Sequence, residues 1–374
     1  MRLLIQLPSL ALMLAVFCLA PAVGADGNQP SGWIWDYPVR FPRPTVPAEN
    51  PMTAAKVELG RHLFYDTRLS ANRTQSCATC HQQKLAFTDG LARSLGSTGE
   101  QHPRSSMSLV NVAFTPSLTW ADPNLDTLEA QALTPMFGDH PVELGLKGME
   151  TELIERIAQE PLYQRLFADA FPQDSISLQT VTRALAAFQR SLVSFRSPYD
   201  RYRYQREEGA IGEEAKRGMV IFFSSAKGGC FQCHGGVTFS GAIQAEGAEH
   251  ATTEFHNTGI YNLSSGPASY PTPNTGLHLH TGKSEDVGKF RAPTLRNIAM
   301  TGPYMHDGSM KTLDEVIRHY EAGGRMPNPN KSTILRPFTL TDVERTDLIA
   351  FLQSLTDEDA LTDPRWSDPW RKTN

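Results

Sequence analysis

Cys77-Ala-Thr-Cys80-His81 and Cys230-Phe-Gln-Cys233-His234 decide how this chain is read. In each stretch the two sulfurs fall about one helical turn apart, a spacing that can take up the two vinyl groups of a haem. The histidine that follows then reaches the iron through a neutral imidazole nitrogen. A structural zinc site wants four ligands, and each box supplies three with no further cysteine to complete it. A thioredoxin-like redox pair needs neither the histidine nor a second copy. The chain has five cysteines, and these boxes use four of them. Two covalently attached c-type haems follow, with His81 and His234 as ligands of the first and second iron.

Outward from the boxes the text repeats itself. Asn50 and Pro51 read as an N-cap and first helical position, leading into apolar residues at helical spacing up to Phe64. Glu213 to Phe223 does the same before the second box. Late in each half comes a closing helix with similar wording, Ala187-Phe-Gln-Arg-Ser-Leu192 and Ala350-Phe-Leu-Gln-Ser-Leu355. The expected fold is mainly α, with two c-type cytochrome domains in tandem, long loops and little strand. Residues 26–205 form the N-terminal domain and 206–374 the C-terminal one. Glu150 to Phe171 reads as one solvated amphipathic helix joining them. The Gly/Pro/Ser-rich text from Ser264 to Pro273 reads as a surface loop.

Residues 1–25 read as a cleavable signal. Arg2 supplies the positive start, Leu10 to Ala20 the apolar run, and Ala22, Gly24 and Ala25 a small-residue cleavage site. Cleavage removes Cys18, the fifth cysteine. The expected location is the periplasm, with no membrane span once the signal is gone. A net charge of -5 with no long basic run argues against a nucleic-acid surface.

Further stretches carry a family resemblance: Thr74-Gln-Ser-Cys-Ala-Thr-Cys-His81, Pro141-Val-Glu143, Phe255-His-Asn-Thr-Gly259, Phe290-Arg-Ala-Pro-Thr-Leu-Arg-Asn297 and Gly302-Pro-Tyr-Met-His-Asp-Gly308. With these the chain resembles the bacterial di-haem cytochrome c peroxidase/MauG family over nearly the whole mature length. It looks closest to the MbnH-like branch through Trp35-Asp-Tyr-Pro, Asn50 to Gly60, Leu118-Thr-Trp-Ala-Asp122 and Pro135 to Leu144.

The resemblance implies roles for particular residues. Where family peroxidases carry a loop histidine that ligates or releases the first iron, this chain has Ser97, a poor haem ligand, so that iron stays open. His102 lies nearby at a different spacing. Glu143 is implied as the distal acid–base, Gln131 as a hydrogen-bonding partner of bound oxygen, and Trp120 as the relay between the haems. Taken singly, a lone Gln or Glu is usually an exposed surface residue and a lone Trp a packing one. Tyr320 stands where the peroxidases have a methionine ligand to the second iron, and its hard oxygen favours the oxidised metal. His319, Met310 and Met326 are rival ligands, and packing on a helix from Leu313 to Ala322 is the plainer role for Tyr320. The family also holds a calcium ion; Thr301 and Pro303 match two of its positions, while Ser105 replaces the expected asparagine. MauG oxidises its substrate through a surface tryptophan just before the second box, and Gly228 occupies that position here.

The activity this implies is a peroxide-driven oxidase. Hydrogen peroxide, acting through a high-valent di-haem state, would oxidise a tryptophan on an exported partner, a copper-binding protein in the MbnH-like case, to a kynurenine-type product. Two other readings stand beside it. One is a cytochrome c peroxidase drawing electrons from a small cytochrome or cupredoxin. The other is a non-enzymatic di-haem electron carrier.

Overall fold

In the computed structural model, residues 32–248, 252–261, 270–325 and 328–371 are described. The expected signal, Met326 and most of the 264–273 loop lie outside them. The described chain is mainly helical, and its one named sheet is the two-residue antiparallel pair Phe255–His256 with Phe290–Arg291. Among the described residues no helix is long and apolar enough to cross a membrane.

The same helix pair is built around each box. The helix Ala54–Tyr65 packs along Leu178–Ser191, and Glu213–Phe222 packs along Asp342–Gln353. In both pairs a glycine sits at the crossing. A Cβ on Gly60 would penetrate the carbonyl of Ala184, and one on Gly218 the carbonyl of Asp347. The backbones meet where a side chain is missing, and aromatic residues one turn later, Phe64 and Phe222, fill the space beside them.

The first helix begins later than its text suggests. Thr53 is the N-cap, its hydroxyl accepting from the Lys56 amide. Asn50 is instead fully buried, donating to Glu129 Oε1 and the Arg183 carbonyl and accepting from Lys56 Nζ. Its polar side chain meets long-range partners that the local sequence does not contain. The stretch from Glu150 to Phe171 is also two helices, Glu150–Ala158 and Pro161–Ala170, broken where Pro161 can only begin a new one. Leu153, Ile157, Tyr163 and Phe167 are buried in the same cluster as Leu59 and Phe188. These helices therefore thicken the first core and do not bridge to the second. The chain crosses over through Pro198–Gln205, whose Tyr199 packs in the second cluster, while Trp366 near the C-terminus returns to the first.

A second repeat appears in space. Asn111 and Asn297 both adopt left-handed backbone and each opens a short 3-10 turn. Asn111 N donates to Leu192 O and Asn297 N to Leu355 O, so each holds the end of its closing helix. Their side chains meet in one buried cluster with Ser194 and Asp357. Ser194 N donates to Asn111 Oδ1, Asn297 Nδ2 to Ser194 Oγ, Ser194 Oγ to Asp357 Oδ2 and Asp357 N to Asn297 Oδ1.

Candidate active site

Each box faces a cavity. The first, about 460 Å³, is lined by Cys77, Cys80 and His81 and also by Gln131, Glu143 and Trp120. The second, about 180 Å³, is lined by Cys230, Cys233, His234, Tyr320 and, from its other side, Trp120. Trp120 thus stands between the two, its indole donating to the Ser105 carbonyl at 2.9 Å.

The two histidines are held alike. His81 Nδ1 lies 2.8 Å from the Phe87 carbonyl, and His234 Nδ1 lies 3.1 Å from the carbonyls of Phe239 and Pro293. A carbonyl only accepts, so Nδ1 carries the proton and Nε2 is left with its lone pair, as a metal ligand needs. Aiming those carbonyls costs backbone strain: Phe87 (φ 61) and Phe239 (φ 52) are non-glycine residues in left-handed conformation, about 1–2 kcal/mol each. Burial keeps both imidazoles neutral by lowering their pKa. It pushes the thiols up, to about 12 at Cys77 and Cys80 and about 11 at Cys230 and Cys233. Such thiols are poor thiolate redox centres, and none of the four is in a disulfide.

The fit of a haem is tested by cations that lack anions. Arg104 lines the first cavity and Arg291 the second. Arg104 Nε donates to Asn274 Oδ1, and Arg291 Nε donates to the Thr119 carbonyl. Among the described residues neither has a carboxylate within ion-pair distance. Burial pulls the Arg291 guanidinium down to about 10. A buried, unpaired charge is costly, and a haem carries two carboxylates. The cysteine pair, the lone-pair-bearing imidazole and the waiting cation fit that group in both cavities.

Above His81 the first cavity gathers acid–base groups. Burial pushes Glu143 up to about 7, and the residue lines the cavity. His102, set apart by its spacing in the sequence, lies with Nε2 3.7 Å from Glu143 Oε1 and lines the same cavity. No sequence signal marked that meeting beyond the presence of both residues near the first box. Gln131 ends the short helix Leu128–Gln131, which Thr127 caps. Ser97 does not line the cavity; its amide donates to the Glu143 carbonyl at 2.6 Å.

Tyr320 lies on the helix Leu313–Glu321 and turns into the second cavity, where burial and the nearby thiols raise its phenol. Of its rivals, His319 points away to the Thr258 carbonyl, and Met310 does not line the cavity. His256, Met305 and His306, from the stretches Phe255–Gly259 and Gly302–Gly308, also line it, though the sequence assigns them no role. The residues matched to calcium sit apart from any carboxylate cluster: Ser105 Oγ donates to the Met305 carbonyl and Thr301 Oγ1 to the Ile298 carbonyl. Among the described residues no group of three or more His, Cys, Asp or Glu side chains is placed to hold a metal ion. Gly228 has φ 109, and a Cβ there would lie 2.7 Å from the end of the Phe338 ring, so any side chain at that position would sit on strained backbone and require Phe338 to move.

Residues 54–208 match the family model described as di-haem cytochrome c peroxidase. The methylamine utilization protein MauG of Methylorubrum extorquens is 36% identical over 326 residues, covering 86% of this chain and 84% of MauG. The chain belongs to the di-haem cytochrome c peroxidase/MauG family. Members are haem-dependent oxidoreductases, and family membership implies two c-type haems. The cytochrome-c peroxidase IdrP1 of Denitromonas iodatirespirans is also 36% identical, over 372 residues, covering 95% of this chain and 93% of IdrP1. A crystal structure of a MauG-like protein associated with microbial copper homeostasis superposes with a TM-score of 0.86 at 44% identity, covering 91% of this chain and all of that one. Both branches of the family are therefore represented among its relatives.

Proposed function

We propose that this protein is an exported, periplasmic di-haem oxidase that uses hydrogen peroxide to oxidise a tryptophan on a partner protein, with a kynurenine-type product. Two cytochrome c-like units, 26–205 and 206–374, each hold one haem through their box. When bound, the two haems supply the redox chemistry of peroxide reduction and share the oxidising equivalents. The observation that carries the reading is Tyr320, an oxygen donor on the wall of the second cavity opposite a methionine-bearing family pattern. The 44% identical relative associated with copper homeostasis supports an exported copper-binding partner.

The chain's own groups do the rest. Glu143 takes the proton from the inner oxygen of peroxide and returns it to the outer one, so that water can leave. Gln131 orients the peroxide through its amide, and His102 beside Glu143 offers a second site for the proton. Ser97 brings no imidazole into the first cavity, so a haem held by His81 there would leave room for peroxide. Trp120, fixed by Ser105, passes electrons between the two cavities one at a time.

The test adds peroxide alone to the fully oxidised protein and follows its haem bands. An immediate shift is expected, together with oxygen gain at tryptophan in a co-expressed exported candidate, read by mass spectrometry. Inertness of the fully oxidised protein overturns the proposal. The similarity to IdrP1 keeps peroxide detoxification as the second reading; there, partial reduction precedes reaction and reduced cytochrome c is consumed quickly. Tyr320→Met is expected to retain both haems, raise the second haem's reduction potential and abolish oxidation of the protein substrate. Unchanged substrate oxidation would remove Tyr320 from its role.

A further inference from the structure

With a glycine at position 228 and no indole there, the electrons withdrawn from a partner need another way in. A continuous run of aromatic rings joins the second box to the surface. The Phe239 carbonyl accepts from His234, and the Phe239 ring lies 5.4 Å from that of Tyr199. Tyr199 lies 6.3 Å from Tyr204, and Tyr204 lies 4.7 Å from Phe41. Phe41 stacks on Phe195 at 4.1 Å and 8°, and Phe195 meets Tyr37 at 5.6 Å. From Tyr37 the run leaves the core through Trp35 and then Trp33, in steps of 5.9 Å each.

The outer end is built to stay in place and to meet something. Asp36, between the two tryptophans and Tyr37, accepts from Arg196 at 2.6 Å and Arg365 at 2.7 Å. Those arginines come from the two halves of the chain. Ile34 is 82% exposed and Val39 99% exposed, so apolar surface flanks the half-buried indoles. Trp33 Nε1 is buried with no acceptor among the described residues.

We propose that the segment from Trp33 to Tyr37 is the point at which electrons enter this protein from an electron-rich aromatic side chain, an indole or phenol, of its partner. This rests on the peroxide-driven reading above. Reduction of one hydrogen peroxide to two waters takes up two electrons and two protons. Each electron crosses the run singly, leaving the partner's ring, refilling Trp33 or Trp35, and passing inward across the packed rings to the second haem. No bond in the run forms or breaks. The indoles are the stops, because an indole gives up an electron while keeping its N–H proton, and among the described residues nothing accepts from Trp33 Nε1. The phenylalanines and buried tyrosines serve as the packed medium. Each pair of electrons lets the partner's ring take one oxygen from water and release two protons, so a kynurenine-type product takes two such turnovers and two peroxides.

The test gives the holoprotein one equivalent of peroxide without a partner and maps oxygen gain along the chain. Oxidation is expected at Trp33 and Trp35 ahead of Trp370, which is exposed but off the run. The double variant Trp33→Phe, Trp35→Phe is expected to keep the peroxide-induced band shift, to lengthen the lifetime of the oxidised state and to slow partner oxidation roughly tenfold, about 1.4 kcal/mol. A band shift with label at Trp370 or spread evenly, or a double variant that oxidises partner at the full rate, overturns the entry point. Absence of any band shift in the unaltered protein overturns the peroxide-driven reading itself, a separate outcome.

Discussion

Glu143→Gln is expected to slow the reaction of the oxidised protein with peroxide by about 10²–10⁴-fold, the usual worth of a positioned general acid–base. The amide keeps the shape and hydrogen-bonding reach of the carboxyl, so both haems should remain attached. What is lost is the ability to take a proton from one peroxide oxygen and return it to the other. Burial holds this carboxyl up at about 7, and the sign of the pH dependence follows. Only the ionised form accepts the proton, so the rate should rise through a single titration near pH 7 and level off above it. Stability should move the other way. A raised carboxyl favours the protonated folded state, a contribution complete below the group's ordinary value and lost as pH rises through about 7. Stopped-flow rates from pH 5.5 to 8.5 check the first sign, and melting temperatures of wild type against Glu143→Gln over the same range check the second; the variant's rate should be flat. A pH profile that survives in Glu143→Gln would assign the titration to another group, with His102 the nearest candidate.

The second large effect is structural. Gly60→Ala and Gly218→Ala each force a methyl group into a backbone carbonyl at a helix crossing. Overpacking of this kind costs typically 1–3 kcal/mol, and because the blocking atom belongs to the backbone, side-chain movement cannot relieve it. Both variants are expected to lower the melting temperature of the holoprotein by similar amounts. Gly209→Ala is the control: nothing lies within 4 Å of its Cβ position. If Gly218→Ala melted like that control, the close approach of Glu213–Phe222 to Asp342–Gln353 would not be what holds that helix pair.

The haem boxes, the helices beside them and the two closing helices were legible because their signals are local: a fixed spacing and a 3.6-residue period. Legibility failed where partners came from far away. Asn50 resembles a cap until Glu129 and Arg183 arrive to satisfy it. No spacing reveals that Arg104 and Arg291 lack carboxylates, since an arginine reads the same with or without an anion. Nor does anything local bring His102 to Glu143. The turn at Asn111 was visible and overlooked: Leu109-Val-Asn-Val-Ala and Leu295-Arg-Asn-Ile-Ala are one phrase written twice. Pro161 was likewise in plain view as a stop, and the amphipathic pattern on both sides of it masked the break.

Asn111, Ser194, Asn297 and Asp357 come from both halves, are all 4% exposed or less, and satisfy one another's hydrogen bonds. A buried polar network of this kind is stabilising only when every member is present and becomes a liability when one is missing. A chain that had received a haem in one half alone would leave the other half's asparagine poorly held, exposing unpaired groups at the shared centre. Such half-assembled molecules should be the ones that proteolysis clears. The population that survives would then carry both haems, an inspection made by four side chains outside both cavities.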